Sequence, residues 1–129
     1  MKCFVLFGVL ISSSLVYSAP MREELSICYK FTNDKLAKKS SCIVHSGYGA
    51  GGSYVALEQG KSIYNIETQI TYNEKTDSSE ESEPTLNDLP ATFYTRDLFY
   101  NKIEDKSLIT DNSLRCYRTK NKKIDICYK

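Results

Sequence analysis

The side chains that could carry catalysis are few in this chain, because its 129 residues include a single histidine, His45. Ser46 follows directly, and a serine beside a histidine offers the nucleophile and the base of a hydrolase. Neighbouring residues on a strand point to opposite faces of a sheet, so we expect no bond between these two side chains. A small ribonuclease-like hydrolase could instead use Glu67 as base, Arg96 as anion clamp and His45 as acid. Only composition supports that arrangement, and the sequence therefore predicts no catalytic residues and a protein that is not an enzyme.

Three glycines, Gly47, Gly49 and Gly52, match the G-x-G-x-x-G pattern of dinucleotide-binding loops. That pattern needs a helix directly behind it, and the residues after Gly52 have no amphipathic helical repeat. Residues 60–62 match the end of a phosphate-binding loop, but Val55 stands where its opening glycine would be. We therefore expect no nucleotide and no other cofactor. We expect no metal site either, because the sequence has no C-x-x-C pair and no second histidine.

Residues 42–54 remain the most specialised segment, with four of the six glycines of the chain. One interpretation is a loop or bulge that needs positive φ angles, which glycine adopts without steric cost. The other is a surface that contacts a partner, because serine and tyrosine are typical of recognition loops and exposed backbone N–H groups can hold an anion. The predicted partner-binding residues are Ser46, Gly47, Tyr48, Gly49, Gly51, Gly52, Ser53 and Tyr54.

The first residues predict export from the cell. Lys2 supplies a positive start, residues 4–15 form an apolar stretch, and Val16 and Ser18 supply the small side chains of a cleavage site. The apolar stretch is too short for a permanent transmembrane helix. We therefore predict a signal peptide at residues 1–18 and a single domain at residues 19–129. The mature protein would be periplasmic or secreted, without stable insertion into a membrane.

The charge balance of the predicted mature chain argues against nucleic acid as a partner. The whole chain has 17 Lys and Arg against 16 Asp and Glu, and loss of Lys2 with the signal peptide leaves 16 of each. Binding to nucleic acid or to an anionic membrane needs a basic surplus. We therefore expect the partner to be another protein, and the sequence leaves the oligomeric state open.

Four cysteines remain once Cys3 is removed with the signal peptide, and an even number in a small exported domain predicts two disulfides. The favoured connectivity is Cys28–Cys42 with Cys116–Cys127, and the two crossed connectivities stay open. The second pair depends on a C-terminal hairpin whose register sets Cys116 opposite Cys127. The same register sets Arg118 opposite Asp125 as an ion pair.

Alternation of apolar and polar residues predicts strands in most of the domain. The clearest alternation covers residues 64–72, where every second side chain from Tyr64 to Tyr72 would face a core. Tyrosine, threonine and isoleucine, which favour strands, are frequent along the chain. The fold class that follows is mainly β, a small antiparallel sheet or barrel with at most one or two short helices, held by two disulfides.

Two segments depart from the strand pattern. Residues 74–90 carry concentrated negative charge and little that could be buried, which predicts a mobile acidic loop between strands. Residues 97–106 predict a short helix that begins after Asp97 as its cap and turns Leu98 and Phe99 towards the sheet.

Three stretches carry a resemblance to known proteins: residues 49–54 (Gly-Ala-Gly-Gly-Ser-Tyr), residues 94–97 (Tyr-Thr-Arg-Asp), and the ending from Cys116-Tyr117 to Cys127-Tyr128-Lys129. Over most of residues 19–129 the chain resembles a group of small exported proteins of Gram-negative bacteria that have no assigned function. In size, signal peptide, strand content and disulfides it also resembles the periplasmic C-type lysozyme inhibitors, which present a Ser-Gly-x-x-Tyr loop to the lysozyme cleft. Here the Ser-Gly-Tyr of residues 46–48 and the Ser-Tyr of residues 53–54 approximate that loop, and the tryptophan usual in those inhibitors is absent.

We therefore expect an exported, non-enzymatic binding protein of the inhibitor or immunity type, acting on another protein. Two alternatives stay open, namely a small secreted hydrolase and a structural component of the cell envelope. An inhibitor would have one tight partner, whereas a structural protein would have many weak ones.

The export prediction has a direct test. We expect the mature protein to begin at Ala19, because cleavage follows the small residue at position 18. N-terminal sequencing of protein recovered from the periplasm or the medium measures this. A mature N-terminus that still carries residues before Val16 would contradict the prediction.

Overall fold

Strands make up most of the chain in the computed structural model, which describes residues 21–49 and 51–129. The one helical element among these residues is a single 3₁₀ turn at Lys106–Leu108. The prediction of a mainly β fold with at most one or two short helices is confirmed, while the predicted signal peptide lies outside the described residues. The strands are β1 (Met21–Thr32), β2 (Lys35–Gly49), β3 (Gly52–Gln59), β4 (Ser62–Asn73), β5 (Ser78–Glu81), β6 (Thr85–Leu86), β7 (Leu89–Arg96), β8 (Leu114–Thr119) and β9 (Asp125–Tyr128).

The strands form one antiparallel sheet in the order β3-β2-β1-β9-β8-β7-β6-β4-β5. The sheet closes on itself, because β4 pairs with β3 along one edge and with β5 and β6 along the other. Alternate side chains of each strand therefore point into an enclosed interior or away from it. The short β1–β2, β3–β4, β6–β7 and β8–β9 turns share one end of the closed sheet, which we call the turn end. The β2–β3 and β4–β5 connections lie at the other end, which we call the open end.

The interior core is apolar and contains the first disulfide. Leu57, Leu86 and Ile126 are completely buried there. Cys28 and Cys42 are joined by a disulfide within the same cluster, with their Cα atoms 5.7 Å apart. The bond therefore connects β1 to β2 from inside the closed sheet.

The alternation predicted for residues 64–72 holds for the first half of β4 only. Tyr64 and Ile66 are buried in the interior core, as expected. Ile70 and Tyr72 are 40% and 60% exposed, because this half of β4 pairs with β5 at the open end, beyond the interior core.

A second core lies on the outer face of β1, β9 and β8. Tyr29, Phe31 and Leu114 pack there against the second disulfide. Cys116 and Cys127 are directly opposite each other, with a Cα–Cα distance of 4.0 Å. Both predicted disulfides and the predicted register of the C-terminal hairpin are thus confirmed.

The acidic segment at residues 74–90, which the sequence predicts to be a mobile loop between strands, is partly paired within the sheet. It contains β5 and β6, which both pair with β4, and Leu86 is completely buried. Main-chain pairing compensates for the lack of apolar residues, while the side chains of β5 stay in solvent. Glu83 carries part of the charge, and its carboxylate contacts Lys120 Nζ at 2.5 Å.

The predicted helix at residues 97–106 is wrong. Asp97 Oδ1 accepts hydrogen bonds from the backbone N–H groups of Phe99 and Asn101, at 2.8 and 3.0 Å. These bonds resemble a helix cap, but they close a tight turn instead, and the chain returns to pair Lys102 with Arg96. Phe99 is consequently 84% exposed and does not face the sheet.

Arg96 occupies the centre of the outer core and is only 1% exposed. Its guanidinium donates hydrogen bonds to Asp34 Oδ1 and Asp125 Oδ2, both at 3.1 Å, and to the Tyr100 carbonyl at 2.9 Å. The guanidinium carbon also lies 4.0 Å from the centre of the Phe31 ring, a cation–π contact. One side chain thus connects the β1–β2 turn, β9 and the segment after β7.

The ion pair predicted between Arg118 and Asp125 is wrong although the two residues are aligned as expected. Asp125 is 5% exposed and accepts hydrogen bonds from Arg96 and from the Tyr94 hydroxyl. Arg118 instead lies 3.6 Å from Asp34. A buried guanidinium needs a buried carboxylate more than an accessible one does, which explains the exchange of partners.

We expect Arg96→Leu to lower the free energy of unfolding by about 3–5 kcal/mol, because it leaves the carboxylate of Asp125 buried without its cation. Arg22→Leu is the matched control: its side chain is 76% exposed, and surface changes of this kind shift stability by within about 0.5 kcal/mol. Urea unfolding followed by circular dichroism measures both. Equal stability of the two variants would show that the Arg96 network does not stabilise the fold.

Candidate functional site

The glycine-rich segment is a strand hairpin and not the loop that one interpretation predicted. β2 continues to Gly49 and β3 begins at Gly52, so only residues 50 and 51 separate the two strands. The pairs are Gly47 with Tyr54, Tyr48 with Ser53, and Gly49 with Gly52. Pairing with β1 on one side and with β4 on the other provides main-chain partners that outweigh the poor strand preference of glycine.

One of the glycines is required by a backbone contact, and another is covered by a side chain. A Cβ atom at Gly47 would lie 2.6 Å from Cε1 of Tyr54, whose ring covers this position. A Cβ atom at Gly52 would lie 2.1 Å from the Thr68 carbonyl oxygen, and Gly52 has a φ of +151° that other residues rarely adopt. The backbone N–H of Ile70 also donates to the Gly51 carbonyl at 3.1 Å. The hairpin tip is therefore held tightly against β4.

The predicted partner-binding residues divide between the two faces of this hairpin. Ser46 and Ser53 line a cavity inside the open end. Tyr48 belongs to the same face as Ser53, its direct partner, and is 65% exposed. Tyr54 is on the outer face, across Gly47. The structure therefore brings Ser46, Tyr48 and Ser53 together and leaves Tyr54 apart from them.

The cavity at the open end has a volume of about 370 Å³ and is formed by inward-facing side chains from seven strands. Four of these side chains are charged: Arg22, Glu24, Glu81 and Arg115. Arg22 and Glu24 form an ion pair at 2.5 Å. The interior is thus mostly apolar towards the turn end, where Gln59 and Thr119 are its buried polar residues, and it is charged at the open end. The remaining lining residues are Val44, Ser46, Ser53, Val55, Thr68, Tyr117 and Tyr128.

Two tyrosines form the floor of this cavity and remain protonated at neutral pH. Burial raises the pKa of Tyr117, the nearby hydroxyl of Tyr128 raises it further, and the Arg115 guanidinium opposes both. Burial likewise raises the pKa of Tyr128, again opposed by Arg115. The guanidinium carbon of Arg115 lies 6.0 Å from the centre of the Tyr128 ring. The cavity can therefore donate and accept hydrogen bonds to a bound group.

The residues considered for catalysis are not assembled into one site. His45 faces outward, with Nδ1 3.2 Å from Glu23 Oε1 and Nε2 3.1 Å from Glu58 Oε2. Ser46 faces the interior, as the strand alternation predicted. Glu67 is aligned with Tyr54 on β3, and Arg96 is buried in the outer core. No group of three or more His, Cys, Asp or Glu side chains suited to a metal ion occurs in the described residues.

The sequence did not reveal the charged residues of the cavity. Arg22 and Glu24 are separated by one residue, and Glu81 and Arg115 are distant in the chain. Nothing in the sequence distinguishes these four residues from ordinary surface charges. Only closure of the sheet places all four around one opening.

Comparison with known proteins yields no relative: no protein-family model, curated protein or solved structure matches the chain. In the described residues no helix is long and apolar enough to cross a membrane. The two disulfides are typical of proteins that fold in an oxidising compartment.

The hairpin geometry predicts different costs for substitutions at two paired glycines. We expect Gly52→Ala to destabilise the protein by roughly 1–3 kcal/mol, the usual cost of a strained backbone, because its Cβ would collide with the β4 backbone. Gly49→Ala should change stability by no more than about 0.5 kcal/mol, because nothing lies within 4 Å of its Cβ position. Thermal unfolding compares the two variants. Equal losses would contradict the close approach of β3 and β4.

Proposed function

We propose that the chain is an exported, non-enzymatic binding protein of the inhibitor type, which contacts another protein through its open end. The observation that carries the proposal is the position of Tyr48. This side chain is 65% exposed and belongs to the hairpin face whose next residues, Ser46 and Ser53, line the cavity.

The chemistry of the open end suits recognition of a protein surface. Tyrosine and arginine are the residues that most often anchor protein interfaces, because each combines a large contact area with hydrogen bonding. Arg22 and Arg115 line the opening, and the exposed Tyr48 lies on the same hairpin face as the lining residue Ser53. The carboxylates of Glu24 and Glu81 balance the arginines, so the opening favours a partner with mixed charge over a polyanion.

Rigidity also supports this proposal. The Gly52 backbone contact and the bond from Ile70 to Gly51 hold the hairpin tip in place before any partner arrives. A preformed surface loses less conformational entropy on binding than a mobile loop does. Export rests on the predicted signal peptide, and the two disulfides are consistent with it.

Substitution at Tyr48 tests the proposal. Affinity capture from periplasmic extract with the immobilised mature protein identifies a partner, and titration of that purified partner measures Kd. We expect Tyr48→Ala to raise Kd at least about fivefold, which corresponds to the loss of 1 kcal/mol that defines an interface anchor. Thermal unfolding should be unchanged, because the ring is mostly in solvent.

Ile63→Ala is the matched control, since Ile63 is 54% exposed but lies next to the β3–β4 turn, at the turn end. It should bind the partner as the wild type does. Wild-type affinity in both Tyr48→Ala and Tyr54→Ala would exclude the hairpin as the contact surface. An equal loss in Ile63→Ala would place the contact elsewhere on the sheet.

A further inference from the structure

The closed sheet has a cleft in its wall at the open end. β5 and β6 lie one after the other along the same edge of β4. β6 pairs with β7, as Thr85 with Pro90 and Leu86 with Leu89, and β5 does not continue this pairing along β7. In the described part of the chain β5 pairs with β4 alone. Beyond the β6–β7 contact, towards the open end, β5 and β7 therefore lie on opposite sides of a gap without pairing with each other.

One wall of this cleft is the edge of β7 around Phe93. The backbone N–H of Ala91 donates to the Pro84 carbonyl at 3.0 Å, and the Thr95 carbonyl accepts from the N–H of Ile103 at 2.9 Å. Both residues thus direct their main-chain groups away from β8. Because this direction alternates along a strand, Phe93, midway between them, directs its N–H and C=O into the cleft. No strand among the described residues pairs with β7 at Phe93, but this chain occupies the edge on both sides of it, through Pro84 at Ala91 and through residues 102–103 at Thr95 and Arg96. The open part of the edge is therefore Phe93 and its two neighbours.

The other wall is the outer edge of β5. The N–H of Ser82 donates to the Gln69 carbonyl at 2.8 Å, and the Thr71 hydroxyl donates to the Glu80 carbonyl at 3.4 Å. Residues 80 and 82 therefore direct their main-chain groups towards β4. By the same alternation, Ser79 and Glu81 direct theirs away from β4 and into the cleft.

Side chains give the cleft an apolar floor and an acidic wall. It has a volume of about 260 Å³ and is lined from both sides, by Glu81 on β5 and by Phe93 on β7. Phe93 is 45% exposed and packs against Tyr117, with ring centres 5.2 Å apart. Glu80 and Glu81 add negative charge along β5, whereas Arg115 contributes one positive charge to the lining.

We propose that an extended segment of a partner protein binds in this cleft as an added strand between β5 and β7. Strand addition uses main-chain hydrogen bonds for affinity and alternate side chains for specificity. The open edge at Phe93 and the facing edge at Ser79 and Glu81 can pair with the two sides of a short added strand, about three residues long. The acidic β5 and the exposed aromatic pair favour a segment that alternates basic and apolar residues.

This inference rests on the proposed function only in that the partner is a protein. Tyr48 belongs to the hairpin tip, whereas the cleft is formed by β5 and β7. The two surfaces can therefore be tested separately. A partner that loses affinity for Tyr48→Ala while the cleft stays empty would support the proposed function and overturn the strand addition.

The test uses the mature protein labelled with ¹⁵N and the acetylated, amidated tripeptide Lys-Val-Lys as the probe, which fits between Pro84 and Ile103. Amide hydrogen exchange measured by NMR reports each backbone N–H. We expect the Phe93 amide to exchange at least about tenfold more slowly with saturating peptide, because a new main-chain hydrogen bond protects it. The Ser79 and Glu81 amides should slow as well if the peptide pairs with both edges.

Two controls separate strand addition from simple attraction of charges. A peptide with the same side chains but N-methylated main-chain amides should give no protection, because it cannot donate main-chain hydrogen bonds. Glu81→Lys should weaken binding of the unmodified peptide at least about fivefold, whereas Glu23→Lys, on the outer face of β1 and 68% exposed, makes the same change of net charge and should not. Protection by both peptides or by neither would overturn the proposal. Slow exchange at Phe93 without any peptide would also overturn it, because β5 and β7 would then already be paired.

Discussion

The Arg96 guanidinium is the interaction on which the outer half of this structure depends. It is buried among aromatic rings, where an unpaired charge would be very costly, and the contacts with Asp34 and Asp125 offset that cost. Hydrogen bonds from Arg96 and Lys102 hold the pKa of Asp34 below its ordinary value. Burial and the Asp125 carboxylate raise the pKa of Tyr94, so its hydroxyl remains a donor. The network therefore fixes the β1–β2 turn and the β7–β8 connection to the same point on the sheet.

Closure of the sheet gives the two ends of the molecule different properties. At the turn end, four short connections enclose a mostly apolar interior, in which Leu57, Leu86 and Ile126 are completely buried and Gln59 and Thr119 are the buried polar residues. At the open end β4 extends past this packing, and the inward positions change from apolar to charged or hydroxyl side chains. Charged side chains are stable there because water reaches them. The same polarity that prevents a dry core at this end provides groups for recognition.

Features that depend on neighbours in the chain were accessible to prediction. The Cys116–Cys127 register and both disulfides follow from short-range patterns, and the structure confirms them. Predictions failed where a distant strand changes the outcome. Pairing with β4 makes strands of part of the acidic segment at residues 74–90. Asp125 accepts a hydrogen bond from the buried Arg96, and Arg118 lies next to Asp34 instead. The cavity and the cleft were beyond sequence reasoning for the same reason, since closure of the sheet creates them.

The cavity and the cleft are one connected feature, because Thr68, Glu81, Arg115 and Tyr117 line both. A group bound in the cavity and a strand bound in the cleft would contact the same Arg115 and the same Tyr117 ring. Their free energies of binding would therefore be coupled, favourably where the two ligands are parts of one partner. A partner that places a strand in the cleft and a side chain in the cavity would use both openings at once. In that case the shared wall, with Arg115 within it, would be the centre of the proposed recognition, and Tyr48 would lie at its margin.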